Sequence, residues 1–126
     1  MMRTAIISMI VLLLSLSGSM LHAATPAELE IRHLLNFIAS SDCTFIRNDT
    51  AYPASEASTH IERKYNYVQS KVKTAEDFIR LAATQSSQSG EPYRINCAGK
   101  EIMSQDWLLT ELGVYREKAT LPDKNQ

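Results

Sequence analysis

Residues 86–97 read SSQSGEPYRINC, a polar, glycine-containing loop that turns into a short strand and ends on Cys97. Only one other stretch has that character: residues 43–47, CTFIR, which open on Cys43, the second of the chain's 2 cysteines. Tyr93–Cys97 and Cys43–Arg47 are short runs of aromatic and β-branched residues bounded by turn formers, so each reads as a strand. Cys43 starts the first and Cys97 ends the second. Antiparallel pairing sets those two ends opposite one another, within disulfide reach, whereas parallel pairing separates them by a strand length. A lone two-stranded ribbon is marginal in water, so helices must pack on it.

Helical patterns lie on both sides of each strand. Thr25-Pro26-Ala27-Glu28 is a capping box with proline at the first helical position, where its missing N–H costs nothing. Ala27, Ile31, Leu34, Leu35 and Ile38 then fall on one face, and the helix is expected to end at Ser40–Asp42. Asn48-Asp49-Thr50 is turn chemistry, and Tyr52-Pro53 argues against an immediate helix. A second helix is expected from about Ser55, with Ala57, Ile61, Tyr65, Val68 and Val72 as its apolar stripe. Thr74-Ala75-Glu76-Asp77 starts a third, short and largely apolar through Phe78, Ile79, Leu81, Ala82 and Ala83. Ala98-Gly99-Lys100 reads as a turn. Ser104 is expected to cap the last helix, which buries Trp107, Leu108, Leu112 and Tyr115. No internal repeat or low-complexity segment is visible. The expected fold is α+β: four helices packed on a short two-stranded antiparallel ribbon with one disulfide.

The first residues read as an export signal. Arg3 supplies a positive n-region, Ala5–Leu16 an apolar core, and small residues follow at Ala23 and Ala24. The competing reading, a retained anchor, is disfavoured because a span needs about 20 apolar residues. The expected division is residues 1–23 as a cleaved signal peptide, 24–118 as one α+β domain and 119–126 as a polar tail. The full chain carries 13 basic and 14 acidic residues. Removing Arg3 with the leader leaves 12 against 14, a net charge of −2. That is no footprint for nucleic acid, which wants a clustered basic excess. A chain of roughly 100 residues has a thin core that a cross-link helps. In an exported chain two cysteines most simply form one disulfide, here Cys43–Cys97, and neither has the CxxC partner or nearby histidine of a redox or metal site.

Few side chains suggest chemistry. Glu56, His60 and Lys64 line up on one flank of the second helix, either as a solvated flank with mild ion pairing or as a group that grips an anion. Ser86, Ser87, Ser89 and Gly90 form either a plain turn or a concave set of hydroxyls and N–H groups for phosphate or carboxylate. Arg47 and Arg94 are the charge partners nearest that loop, and strand alternation decides whether they share a face. His33, beside the apolar stripe of the first helix, reads as a packing residue. No nucleophile elbow, HExxH or metal-finger spacing is present, so no catalytic residue, metal or cofactor is expected.

The phrases Phe45-Ile46-Arg47-Asn48, Glu56-Ala57 with His60-Ile61, Thr74-Ala75-Glu76-Asp77-Phe78-Ile79 and Ser89-Gly90-Glu91-Pro92-Tyr93 resemble the YfeK-like family. These are small exported proteins of Gram-negative bacteria, built around a domain of unknown function. The resemblance spans about Glu28 to Leu112 and implies periplasmic residence and a single domain. It brings no catalytic residue with it.

The sequence thus points to a non-enzymatic module of the cell envelope that binds or modulates a protein partner, one class of which is a periplasmic hydrolase that the Ser87–Tyr93 loop would plug. The alternative is a small enzyme or carrier for an anionic envelope ligand. Its candidate binding residues are His60, Lys64, Arg47, Ser87, Ser89, Tyr93 and Arg94. Neither reading requires nucleic acid or a stable membrane anchor.

Overall fold

The computed structural model describes residues 22–122, with Gly18 and Met20 ahead of them. The leader expected over residues 1–23 therefore lies almost wholly outside the described residues, as do the last four residues of the tail.

Helix α1 (Pro26–Ser40) begins on the capping box read from sequence, with Thr25 accepting from the Glu28 N–H and Glu28 accepting from the Thr25 N–H. Its buried stripe is Ile31, Leu34 and Ile38. Strands β1 (Thr44–Arg47) and β2 (Thr50–Pro53) follow as a hairpin and lead directly into α2 (Ala54–Val68). One 3₁₀ turn at Gln69–Lys71 then carries the apolar stripe on to Val72, which packs against the core although α2 has ended. Helix α3 (Ala75–Ala82) starts on the Thr74 cap and buries Ala75, Phe78, Ile79 and Ala82. A second hairpin, β3 (Arg94–Cys97) and β4 (Lys100–Met103), leads directly into α4 (Ser104–Thr120).

The fold is α+β, with four helices and a disulfide. The two-stranded ribbon, however, must be corrected to a four-stranded antiparallel sheet in the order β2-β1-β3-β4. Each strand read from sequence is half of a tight hairpin. Asn48 and Asp49 have φ of 49° and 61°, and Ala98 and Gly99 have φ of 53° and 83°. Two consecutive left-handed residues make the turn whose twist matches paired strands, so each turn returns the chain onto its own strand. Gly99 takes that conformation at no steric cost.

The core joins Phe45 and Ile95 from the sheet to buried residues of all four helices. Residues of the other parity, Thr44, Ala51, Pro53, Glu101 and Met103, are exposed, so the helices cover one sheet face and leave the other open. Ser104 does not cap α4. Met103 holds that position, and Ser104 lies inside the first turn, buried, its N–H donating to the Tyr93 carbonyl at 2.9 Å and its hydroxyl without a partner. The chain passes from strand to helix with no loop between, which leaves no extended residue for serine to occupy.

At the centre of the sheet Phe45 faces Ile95, with Thr44 opposite Asn96 and Ile46 opposite Arg94. This register relates the hairpins by an approximate two-fold axis between Phe45 and Ile95. Arg47–Thr50 closes the first hairpin as Cys97–Lys100 closes the second. The chain therefore runs helix–hairpin–helix twice, a repetition that residue identity barely reveals: within the strands and their turns no two equivalent positions carry the same residue. Continuing the register outward from Thr44 and Asn96 brings Cys43 opposite Cys97, and these are bonded with Cα atoms 4.4 Å apart. At the other end the same step sets Arg47 opposite Tyr93.

The disulfide closes a sequence separation of 54 residues, for which chain entropy gives about 4 kcal/mol of stabilisation. Replacing both cysteines by serine is expected to lower the unfolding free energy extrapolated from urea denaturation by that order, with the midpoint falling accordingly. A midpoint equal to that of the parent would contradict the assignment of the bond as the sheet's staple.

Candidate functional site

Strand alternation decides first which candidates meet. Arg47 and Tyr93 lie on the helix-covered face with Phe45 and Ile95, whereas Arg94 lies on the open face. There Arg94 pairs with Asp49 at 3.2 Å and Glu101 at 3.0 Å, away from the other candidates.

The serine loop is also placed apart. Its ends are tied by the Tyr93 N–H donating to the Thr84 carbonyl and the Ser86 N–H donating to the Glu91 carbonyl, each at 2.9 Å. The Ser86 hydroxyl is buried and accepts from the Gln88 and Ser89 N–H groups and from the Asn48 amide. Ser89 donates its hydroxyl to the Asn48 side-chain oxygen and accepts from the Glu91 N–H at 3.2 Å. The Ser86 and Ser89 hydroxyls and the Gly90 N–H, expected to help cradle an anion, are engaged in closing the loop and fastening it to the β1–β2 turn. Ser87 is exposed and lines no cavity described here.

The remaining candidates converge where α2 crosses the Arg47–Tyr93 end of the sheet. His60 and Lys64, one turn apart on α2, both reach the Tyr93 hydroxyl: Lys64 Nζ at 3.1 Å and His60 Nε2 at 3.3 Å. Lys64 also donates to the Gln85 carbonyl at 2.7 Å. Its Nζ is 5.0 Å from the Tyr93 ring centroid, farther than from the oxygen, so the hydrogen bond describes the contact better than a stack on the ring face. Arg47 lines the same cavity as Tyr93 and His60, and its Nε is buried without a hydrogen-bond partner. Among the described residues neither Arg47 nor Lys64 forms an ion pair.

Burial and mutual repulsion shape the protonation of this cluster. Desolvation, then the charges of Arg47, Lys64 and Arg63, hold His60 below the ordinary histidine value. Desolvation and Arg47 lower Lys64. Tyr93 is raised by desolvation, against the opposing pull of Arg47. With His60 neutral and its proton on Nδ1, Nε2 accepts from Tyr93 while Tyr93 accepts from Lys64, a set in which each group has a compatible role.

Beside this cluster is a cavity of about 170 Å³, lined by Phe45, Ile46, Arg47, Tyr52, Glu56, Ala57, His60, Ile61 and Tyr93. Glu56 is exposed, and with His60 it also lines a shallower groove along α2 formed with Ser55, Thr59 and Arg63. Apolar side chains form much of the cavity wall; Arg47, Glu56 and His60 bring charge or an imidazole to it, and Tyr52 and Tyr93 bring phenol groups. Of the lining residues, Arg47, Glu56, His60 and Tyr93 are site candidates from the sequence; Phe45, Ile46, Ala57 and Ile61 read there only as strand or core, and Tyr52 has no site or core role there at all. The signal was the Asn48-Asp49 dipeptide: as a two-residue hairpin turn it places Tyr52 opposite Phe45 on the covered face.

The family described as "Family of unknown function (DUF5329)" matches residues 25–116. The chain belongs to this family. The match runs from the cap of α1 into the last turns of α4, so it takes in both hairpins and the whole cluster around Tyr93. The chain is also 39% identical over 67 residues to the uncharacterised protein YfeK of Salmonella typhimurium (strain LT2), a match covering 52% of this chain and 56% of that protein. The chain thus spans little more than half the length of that curated relative. No solved structure gives a significant match.

The charge arrangement predicts a specific titration. In a pH series of histidine ring NMR spectra His60 is expected to titrate below 6.5, and Arg47→Ala to move its midpoint upward by removing a charge that opposes protonation. A midpoint that stays put or falls in the variant would contradict the coupling.

Proposed function

We propose that the protein is a non-enzymatic binding module of the cell envelope, resident in the periplasm, which holds an anionic ligand in the cavity between α2 and the β1–β2 hairpin. The observation that carries this reading is the Arg47 guanidinium, buried at Nε without a partner and, among the described residues, lacking an ion pair, near Lys64, which has neutral hydrogen-bond acceptors but no carboxylate partner either. Cationic groups drawn from water without a carboxylate partner are costly, and an anion supplies the missing charge and acceptors. Of the candidate residues, Arg47, His60, Lys64 and Tyr93 form the binding set in this reading. Ser87, Ser89 and Arg94 stand outside it.

The cavity is favoured over the loop as the binding surface because the loop is fastened down through Ser86, Ser89 and Asn48. That leaves it poorly suited to plug a partner. Residence in the periplasm is supported by the apolar leader of residues 1–23 and by the disulfide, which persists in oxidising compartments. No helix among the described residues is long and apolar enough to cross a membrane.

The test is titration of the ¹⁵N-labelled protein with inorganic phosphate, acetate and benzoate. At least one of these is expected to shift the amides of Arg47, Tyr52, Ala57 and His60 saturably, and Arg47→Ala to weaken that binding at least about tenfold, the scale of a lost charge-assisted hydrogen bond. Shifts scattered over the surface, or binding unchanged in the variant, would overturn the reading.

A further inference from the structure

The approximate two-fold of the sheet explains why this cavity exists, and through that what it accepts. Because Arg47 corresponds to Cys97, Tyr52 to Ile102 and Ala54 to Ser104, the counterpart of Ala57 on α2 is Trp107 on α4. At the disulfide end Trp107 fills the space between its helix and the sheet. Its indole lies 4.5 Å from the Phe37 ring and 5.7 Å from the Phe45 ring, centroid to centroid. At the other end Ala57 offers one methyl group, and the corresponding volume is the cavity of about 170 Å³. An apolar protein cavity of about 150 Å³ is known to take benzene.

Resting on the binding reading above, we propose that the site is specific for a small aromatic monocarboxylate. The ring occupies the volume that Trp107 fills in the other half of the fold, and the carboxylate meets Arg47 beside Tyr93 and Lys64. The aromatic walls, Phe45, Tyr52 and Tyr93, favour edge and offset contacts with a ring. The volume limits the apolar part to about one ring. The carboxylate supplies acceptors for a guanidinium whose Nε lacks one. Glu56, at the same cavity, disfavours a second negative charge on the ligand.

Calorimetry or NMR titration with four probes separates the two parts of the proposal. Benzoate is expected to bind at least about tenfold more tightly than acetate, since the ring adds buried apolar area. It is also expected to bind at least about tenfold more tightly than benzamide, its neutral counterpart. Acetate or inorganic phosphate equal to benzoate would overturn the ring while leaving an anion site in place. Benzamide equal to benzoate would overturn the charge pairing, and absence of binding by all four would overturn both this proposal and the function it rests on. Ala57→Phe, which puts a ring into the cavity from the protein's side, is expected to abolish benzoate binding with amide dispersion retained. Ala57→Val, a smaller filling, is expected to weaken it. Benzoate affinity unchanged in a folded Ala57→Val protein would contradict the placement of the ring.

Discussion

The pairing of β1 with β3 is the contact on which the remaining structure depends. Each hairpin alone has two strands of four residues, too little sheet to stand in water. Side by side they bring Phe45 and Ile95 together under the helices, where both are almost fully buried. Around that pair the core draws on Leu34 and Ile38 of α1, Ile61 of α2, Phe78 and Ile79 of α3 and Leu108 and Leu112 of α4. A one-residue slip between β1 and β3 would turn one member of this central pair to the open face, so the register is held by burial as well as by sulfur.

The two ends of the central strand pair are put to different uses. At one end Cys43 and Cys97 are joined covalently, and Trp107 packs the helix–sheet space with Phe37 and Phe45. At the other, Arg47 faces Tyr93 across the strands, two further nitrogens from α2 converge on the tyrosine hydroxyl, and Ala57 leaves a cavity. Packing is completed at the first end and left open at the second. A second polar tie lies on the far side of the bundle, where Arg116 of α4 bonds Glu30 of α1 and Glu76 of α3. These carboxylates raise the Arg116 pKa above its ordinary value, the reverse of the environment at Lys64.

Much of this organisation is legible in the sequence where a local rule has a local cause. Thr25 and Thr74 announce their helices because their side chains satisfy N–H groups three residues away. The cysteines announce the antiparallel sense of β1 and β3. Strands β2 and β4 do not announce themselves: Thr50-Ala51-Tyr52-Pro53 and Lys100-Glu101-Ile102-Met103 each carry one partly buried residue, Tyr52 or Ile102, so alternation has nothing to repeat. Ser104 misleads because serine before an apolar helical run resembles a cap whether or not an extended residue is available there. For the site, the Glu56, His60 and Lys64 spacing is visible in the chain. That Arg47 meets Tyr93, or that Ala57 answers to Trp107, follows only once the strands are registered. Position 57 reads as an ordinary core alanine until its counterpart is known.

The most direct test of the account is the backbone NOE pattern between the two central strands of the ¹³C,¹⁵N-labelled protein. Phe45 should show cross-strand contacts to Ile95, with Thr44 to Asn96 and Ile46 to Arg94 flanking it. Contacts that set β1 beside β4, or that shift the β1–β3 pairing by one residue, would contradict the two-fold arrangement and remove the basis for comparing its open end with its filled one.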